Sequence, residues 1–171
     1  METFWYGLLG ERSLFAYAFI GLASVQCTIL AVTLYLHRSQ AHGAVIFHPV
    51  VEHVFRFWLW FTTGMVTREW VAVHRKHHAF SDRLGDPHSP VVKGLWRIFP
   101  LGVVEYVREA RSSETIERYG RGTPDDWLER RVFARHPIVG VVLGTLFAVA
   151  LFGVGPGLIL DVPEMEGGTY V

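Results

Sequence analysis

Charge imbalance is absent from this chain. Sixteen basic and sixteen acidic residues cancel to a formal net charge of zero over 171 residues, which leaves out the basic footprint of a nucleic-acid-binding protein. Cysteine is nearly absent too. The one cysteine, Cys27, lies inside an apolar run. A single thiol excludes an internal disulfide and any multi-cysteine zinc or iron–sulfur site, so Cys27 reads as a small buried apolar residue. The sequence has no His-Glu-x-x-His, the zinc-protease arrangement. It has no Glu-x-x-His either, which disfavours a carboxylate-bridged di-iron bundle. No basic stretch precedes the first apolar run, so the start Met-Glu-Thr-Phe does not read as a signal peptide. There is no internal repeat and no low-complexity tract.

What the chain does have is apolar length. Half of the residues are hydrophobic, and the mean hydropathy is positive. Residues 14–36 carry no charge; as a helix they reach about 35 Å, enough for a hydrocarbon core of about 30 Å. Gln26, Ser24, Thr28 and Thr33 are tolerable in a span packed on other helices. Residues 137–160 form a second expected span, weakened at its far end by Gly153, Gly155, Pro156 and Gly157. Residues 50–73 are apolar but broken by Glu52, His53, Arg56, Arg68 and Glu69. Their charge-free core, 57–67, is about 17 Å long and too short to cross, so it reads as an interfacial helix with Trp58, Trp60 and Trp70 at headgroup level. Residues 74–136 hold twelve of the sixteen basic residues, which places them on the cytoplasmic side. Thr123 and Pro124 read as the start of a helix. Arg130, Arg131 and Arg135 read as solvated anchors at the membrane surface. Residues 161–171 read as a frayed tail. The expected fold is an all-α membrane protein: one domain, 1–171, with two transmembrane helices, an interfacial helix and a cytosolic helical cap.

The candidate site is made of histidine. His74, His77 and His78 stand at i, i+3 and i+4, so on a helix they share an arc of about 100°. A polar, solvated helix with incidental histidines is the plain alternative. It loses ground because His37 and His42 lie where the first apolar run ends. Five-residue spacing separates two side chains by about 140° on an α-helix, so these two can share a centre only if the helix ends or bends between them, which Gly43 allows. Because residues 50–73 do not span, both groups emerge on the same side. Asp86 and His88, in the turn Asp86-Pro87-His88, can support the ligands from behind, as can Glu69. His53 reads as a polar-face residue. Imidazole suits iron, zinc, copper and nickel; one tetrahedral zinc takes at most four protein ligands, so five histidines suggest two metals.

The pattern His37-Arg-x-x-x-His42, Glu69-Trp-x-x-x-His74-Arg-x-His77-His78 and Asp86-Pro-His88 resembles the integral-membrane fatty acid desaturases, most nearly the bacterial-type acyl-CoA delta-9 desaturases. The resemblance covers roughly residues 25–160. It implies two non-haem irons at the cytoplasmic face, ligated by His37, His42, His74, His77 and His78, with dioxygen as co-substrate. It implies a fatty acyl substrate on coenzyme A or lipid, a cis double bond as product, and a cytochrome b5-like, ferredoxin or rubredoxin electron donor with its reductase. Two departures stand out. No His-x-x-His-His follows His78, so the chain resembles only the N-terminal half of such an enzyme and is expected to be inactive alone. Ala72 and Val73 stand where the animal enzymes carry an Arg-Asp pair that touches coenzyme A, which leaves acyl-lipid or acyl-carrier substrates open. A membrane hydroxylase or alkane oxygenase would use similar histidines; a non-catalytic remnant or a soluble helical metalloprotein are the other classes.

Overall fold

The structure, a computed structural model, describes residues 2–167, with side chains at residues 4–99 and 101–160. Among these residues the chain is helical and contains no strand. After a short helix α1 (Glu2–Tyr6), Ser13 caps α2 (Leu14–Leu30). The helix does not stop there. It continues without a break as a π-helix, Ala31–Ala41. Helices α3 (Pro49–Thr63) and α4 (Thr67–Phe80) follow, then α5 (Pro90–Lys93), α6 (Leu95–Ala110) and α7 (Ser113–Tyr119). A short π-helical segment, Glu129–Phe133, leads into α8 (Pro137–Phe152) and α9 (Val154–Gly167).

Among the described residues one helix, Leu14–Ala41, is long and apolar enough to cross a membrane; 28% of its most apolar window is buried. The helix that contains the expected first span, 14–36, runs on to Ala41. The expected second span, 137–160, is not found as one helix. Its first part, α8, has 16 residues, about 24 Å. The chain then turns at Gly153, with φ 83°, a conformation that costs any other residue a steric penalty. Beyond it α9 folds back on α8: a Cβ on Gly157 would meet the Val149 Cα at 2.6 Å. Residues 161–167 belong to α9 rather than to a frayed tail, and residues 168–171 lie outside the described residues.

The single interfacial helix expected over 50–73 is two helices. Gly64 closes α3 in the left-handed region, φ 66°, and α4 restarts at Thr67. The core is built where these helices meet the π segment. Val32, Tyr35 and Leu36 pack with Leu59, Trp70 and Val71. Each side chain of this kind contributes about 1.5–3 kcal/mol when buried. Helices α3 and α8 touch through backbone: a Cβ on Gly140 would stand 2.1 Å from the Trp60 carbonyl oxygen.

Arg56, which interrupts an apolar stretch of sequence, is the buried centre of an ion triad. Its guanidinium donates to Asp126 and to Glu129, at 3.0 and 2.9 Å from Nη2, and lies 5.2 Å above the Phe133 ring. Asp126 also accepts from the Glu129 N–H at 3.0 Å. It is Asp126, not Thr123, that caps this turn, because the helix begins at Trp127. Cys27 is exposed on α2, contrary to its reading as a buried residue; the buried position beside it is taken by Thr28.

Candidate metal centre

Residues five apart on an α-helix point in different directions. The π segment removes that difficulty. Its hydrogen bonds run from residue i+5 to residue i, and the His42 N–H donates to the His37 carbonyl at 3.1 Å. One wide turn therefore stacks His37 and His42 on one face. The helix neither ends nor bends between them, as the five-residue spacing had seemed to require. Gly43, with φ 64°, ends it immediately afterwards. On α4 ordinary α-helical spacing does the same for His74 and His78.

The two pairs meet. The His37, His42, His78 and His74 rings stand at the corners of a four-sided figure with edges of 4.6, 4.9, 4.6 and 4.7 Å between ring centres. Its diagonals are 6.2 and 5.8 Å, shorter than in a flat square, so the figure is puckered. One nitrogen from each ring lies within 4.8 Å of the other three. His37 Nε2 is 3.2 Å from His42 Nε2, and His74 Nε2 is 3.0 Å from His78 Nε2. His74 is buried, His37 half-buried, and His42 and His78 are exposed.

Two bare imidazole lone pairs at such a distance repel unless a proton or a cation lies between them. Metal–imidazole bonds of about 2.1 Å meeting at about 90–100° place neighbouring nitrogens about 3.0–3.2 Å apart. The observed separations fit that geometry, and the residues present fit a late first-row metal. Burial, followed by the neighbouring histidines, pushes His74 down to about 3. Burial and the nearby His42 and His77 also hold His78 below the usual histidine value. Neutral imidazole is the form that ligates metal. Trp70 stacks on the His74 ring at 4.6 Å and 14°. The His74 Nδ1 is buried without a hydrogen-bond partner among the described residues, so on that side the Trp70 stack is what holds the ring.

His77 does not join the four. Its ring lies 5.7 Å from that of His78 and 6.4 Å from that of His74. The reason is Asp86: both carboxylate oxygens lie 2.9 Å from His77 Nδ1, and His88 stacks on the His77 ring at 4.5 Å. Burial alone would raise Asp86, but hydrogen bonds from His77 and from the N–H groups of Asp82 and His88 outweigh it and hold the carboxyl below its usual range. The expected support from Asp86 and His88 is thus directed at His77. Burial also lowers His88. Glu69 forms no bond to any of these imidazoles among the described residues. It lines a 470 Å³ cleft with Tyr106 and Arg111 instead, where burial raises its carboxyl. His53 is exposed and bonds the Pro49 carbonyl at 2.8 Å.

Comparison with known proteins gives several partial matches. A delta-9 desaturase-like protein of Arabidopsis thaliana is 31% identical over 96 residues, covering 55% of this chain and 31% of the relative. An icosanoyl-CoA 5-desaturase of Limnanthes douglasii is 35% identical over 81 residues, 47% of this chain and 22% of the relative. A chloroplastic palmitoyl-monogalactosyldiacylglycerol delta-7 desaturase of Arabidopsis thaliana is 30% identical over 129 residues, 74% of this chain and 33% of the relative. The chain spans about a third or less of the length of these curated relatives. No protein-family model matches it, and no solved structure does.

Proposed function

Since the matched part of this chain belongs to the fatty acid desaturase family, we propose that it carries the first two histidine groups of an oxygen-dependent fatty acyl desaturase. The observation that carries the reading is the convergence of His37 and His42 with His74 and His78. The substrate is a fatty acyl chain and the product a cis alkene, at delta-9. Overall, a –CH2–CH2– unit, dioxygen, two electrons and two protons become –CH=CH– and two waters. A pair of non-haem irons would supply the oxygen-activating redox chemistry, with electrons from an external protein donor.

The chain's own residues have separate tasks. His37, His42, His74 and His78 offer ring nitrogens to one metal. His77, with its Nδ1 held by Asp86, leaves its Nε2 for a second, in the carboxylate–histidine arrangement that fixes the tautomer of ligating histidines. Trp70 walls His74 off from water. Helix α2 and its π continuation would anchor the site in the bilayer. The exposed apolar residues of α3 and α8, among them Val54, Phe57, Ile138 and Leu146, suit lipid contact, and the basic 74–136 region suits the cytoplasmic face.

Three of the four ring ligands are not buried, so the site is open on one side. That favours a chain that binds iron but turns over only when further ligands close the site. The test is anaerobic iron loading of the purified chain, followed by reduction and oxygen exposure with acyl-CoA and with acyl-lipid. The reading expects bound iron and no product, and alkene after addition of a protein segment carrying a His-x-x-His-His. An alcohol product would move the reading to a hydroxylase, and absence of iron would favour a non-catalytic remnant.

A further inference from the structure

Arg75 follows His74 on α4 and is half-buried. Its guanidinium makes four hydrogen bonds, all to backbone carbonyls. Nε donates to Ala41 at 3.0 Å and Nη2 to Gln40 at 2.8 Å. Nη1 donates to Tyr119 at 3.0 Å and to Arg121 at 2.7 Å. The first two carbonyls end the π segment, where helix geometry leaves oxygens without an internal donor. Tyr119 ends α7. One planar group thus joins the ends of two helices to the helix that carries His74 and His78.

Arg75 has no carboxylate partner among the described ion pairs. A positive charge is an unfavourable neighbour for a metal cation, so charge does not explain its place, and the bonds do. The other polar link between α4 and the π segment among the described residues, Tyr35 Oη to Thr67 Oγ1 at 3.5 Å, leaves α4 about two helical turns before His74 and leaves the π segment two residues before His37, well short of His42. Near His42, among the described residues, Arg75 alone holds the π segment to α4 through side-chain hydrogen bonds. Without that hold, Gln40 and Ala41 lose their donors, and the residue that follows them is a ligand.

We propose that Arg75 is a positioning residue. By capping Gln40 and Ala41 it sets the distance between the His37/His42 pair and the His74/His78 pair. The role rests on the metal-site reading given above. Lysine cannot substitute, because an ammonium offers donors from one point whereas the guanidinium fork spans four carbonyls.

The test compares the 171-residue chain with Arg75→Ala, Arg75→Lys and Lys76→Ala in detergent. Lys76 is the matched control: it ties the same helix to Glu109 and Thr115 and touches no carbonyl of the π segment. Amide hydrogen exchange is measured without metal, and cobalt(II) alone is titrated and followed by its ligand-field absorption. Arg75→Ala should speed exchange at Gly43 and Ala44 at least tenfold, weaken cobalt(II) binding at least tenfold and alter the absorption bands. Arg75→Lys should do nearly the same, and low, non-denaturing guanidinium should restore Arg75→Ala in part. Lys76→Ala should change none of these by more than about twofold. Wild-type exchange in Arg75→Ala overturns the proposal, as does a Lys76→Ala variant equally impaired. If Arg75→Ala fails to fold, Arg75→Lys decides by the same criteria. If the wild-type chain binds no cobalt(II), the metal reading fails, while the exchange comparison still decides whether Arg75 holds the segment of His42.

Discussion

The two histidine pairs solve one geometric problem by different means. On α4, a four-residue spacing and an ordinary α-helix place His74 and His78 on the same face. On the π segment, a five-residue spacing and i+5 to i hydrogen bonding do so for His37 and His42. Their surroundings differ as well. His74 is buried against Trp70, whereas His42 is exposed and its segment is held through the backbone. Residue spacing therefore specifies a face only together with the hydrogen-bond pattern of the helix. That pattern is set by what the helix packs against.

The largest effect should come from exchanging these spacings. One alanine inserted between Lys76 and His77 gives His74 and His78 the five-residue spacing on an α-helix, about 140° apart. Cobalt(II) affinity should fall more than a hundredfold. Retained affinity would mean that spacing alone induces the π form, and that packing does not. Next in size is the contrast between the buried and exposed members. His74→Ala should weaken cobalt(II) at least tenfold more than His42→Ala, because His74 is pre-oriented and His42 is not. Equal losses would remove the distinction between the two pairs.

Much of this was legible in the residues. Histidine spacing on α4, the proximity of the two groups and the pairing of Asp86 with a histidine follow from sequence periodicity and a turn motif. Gly153 is a visible weak point in the sequence, although the reversal of the chain there depends on packing against α8. The break at Gly64 and the π turn were not legible, since both depend on tertiary fit around Tyr35, Leu36 and Leu59. Arg75 stands in the histidine pattern, but its partners left no trace, because they are backbone carbonyls that every residue has. Arg56 did leave one, a charge inside an apolar run, but nothing in sequence paired it with residues some seventy positions away.

Two smaller effects sharpen the comparison. Asp86→Asn should loosen His77 and leave the four-histidine group intact. The weaker of two iron sites should lose about 10–100-fold in affinity, the range for a lost carboxylate partner, with the tighter site unchanged in an anaerobic iron titration. Asp126→Asn probes the frame far from the metal. The Arg56 hydrogen bond holds Asp126 down to about 2. Its contribution is therefore fully present above the unfolded carboxyl value of about 3.9 and is lost as pH falls through about 2. The melting temperature of Asp126→Asn should lie a few degrees below wild type at pH 7, and the gap should close toward pH 2. Because Asp126 is partly exposed, the difference is modest.

The central claim is that the π-segment pair and the α4 pair bind the same metal. X-ray absorption at the iron edge, on the anaerobically loaded chain, tests this most directly. Wild type should show imidazole scattering that weakens to a similar extent when either pair is replaced by alanine. An iron environment that is unchanged after His37 and His42 are removed would contradict it.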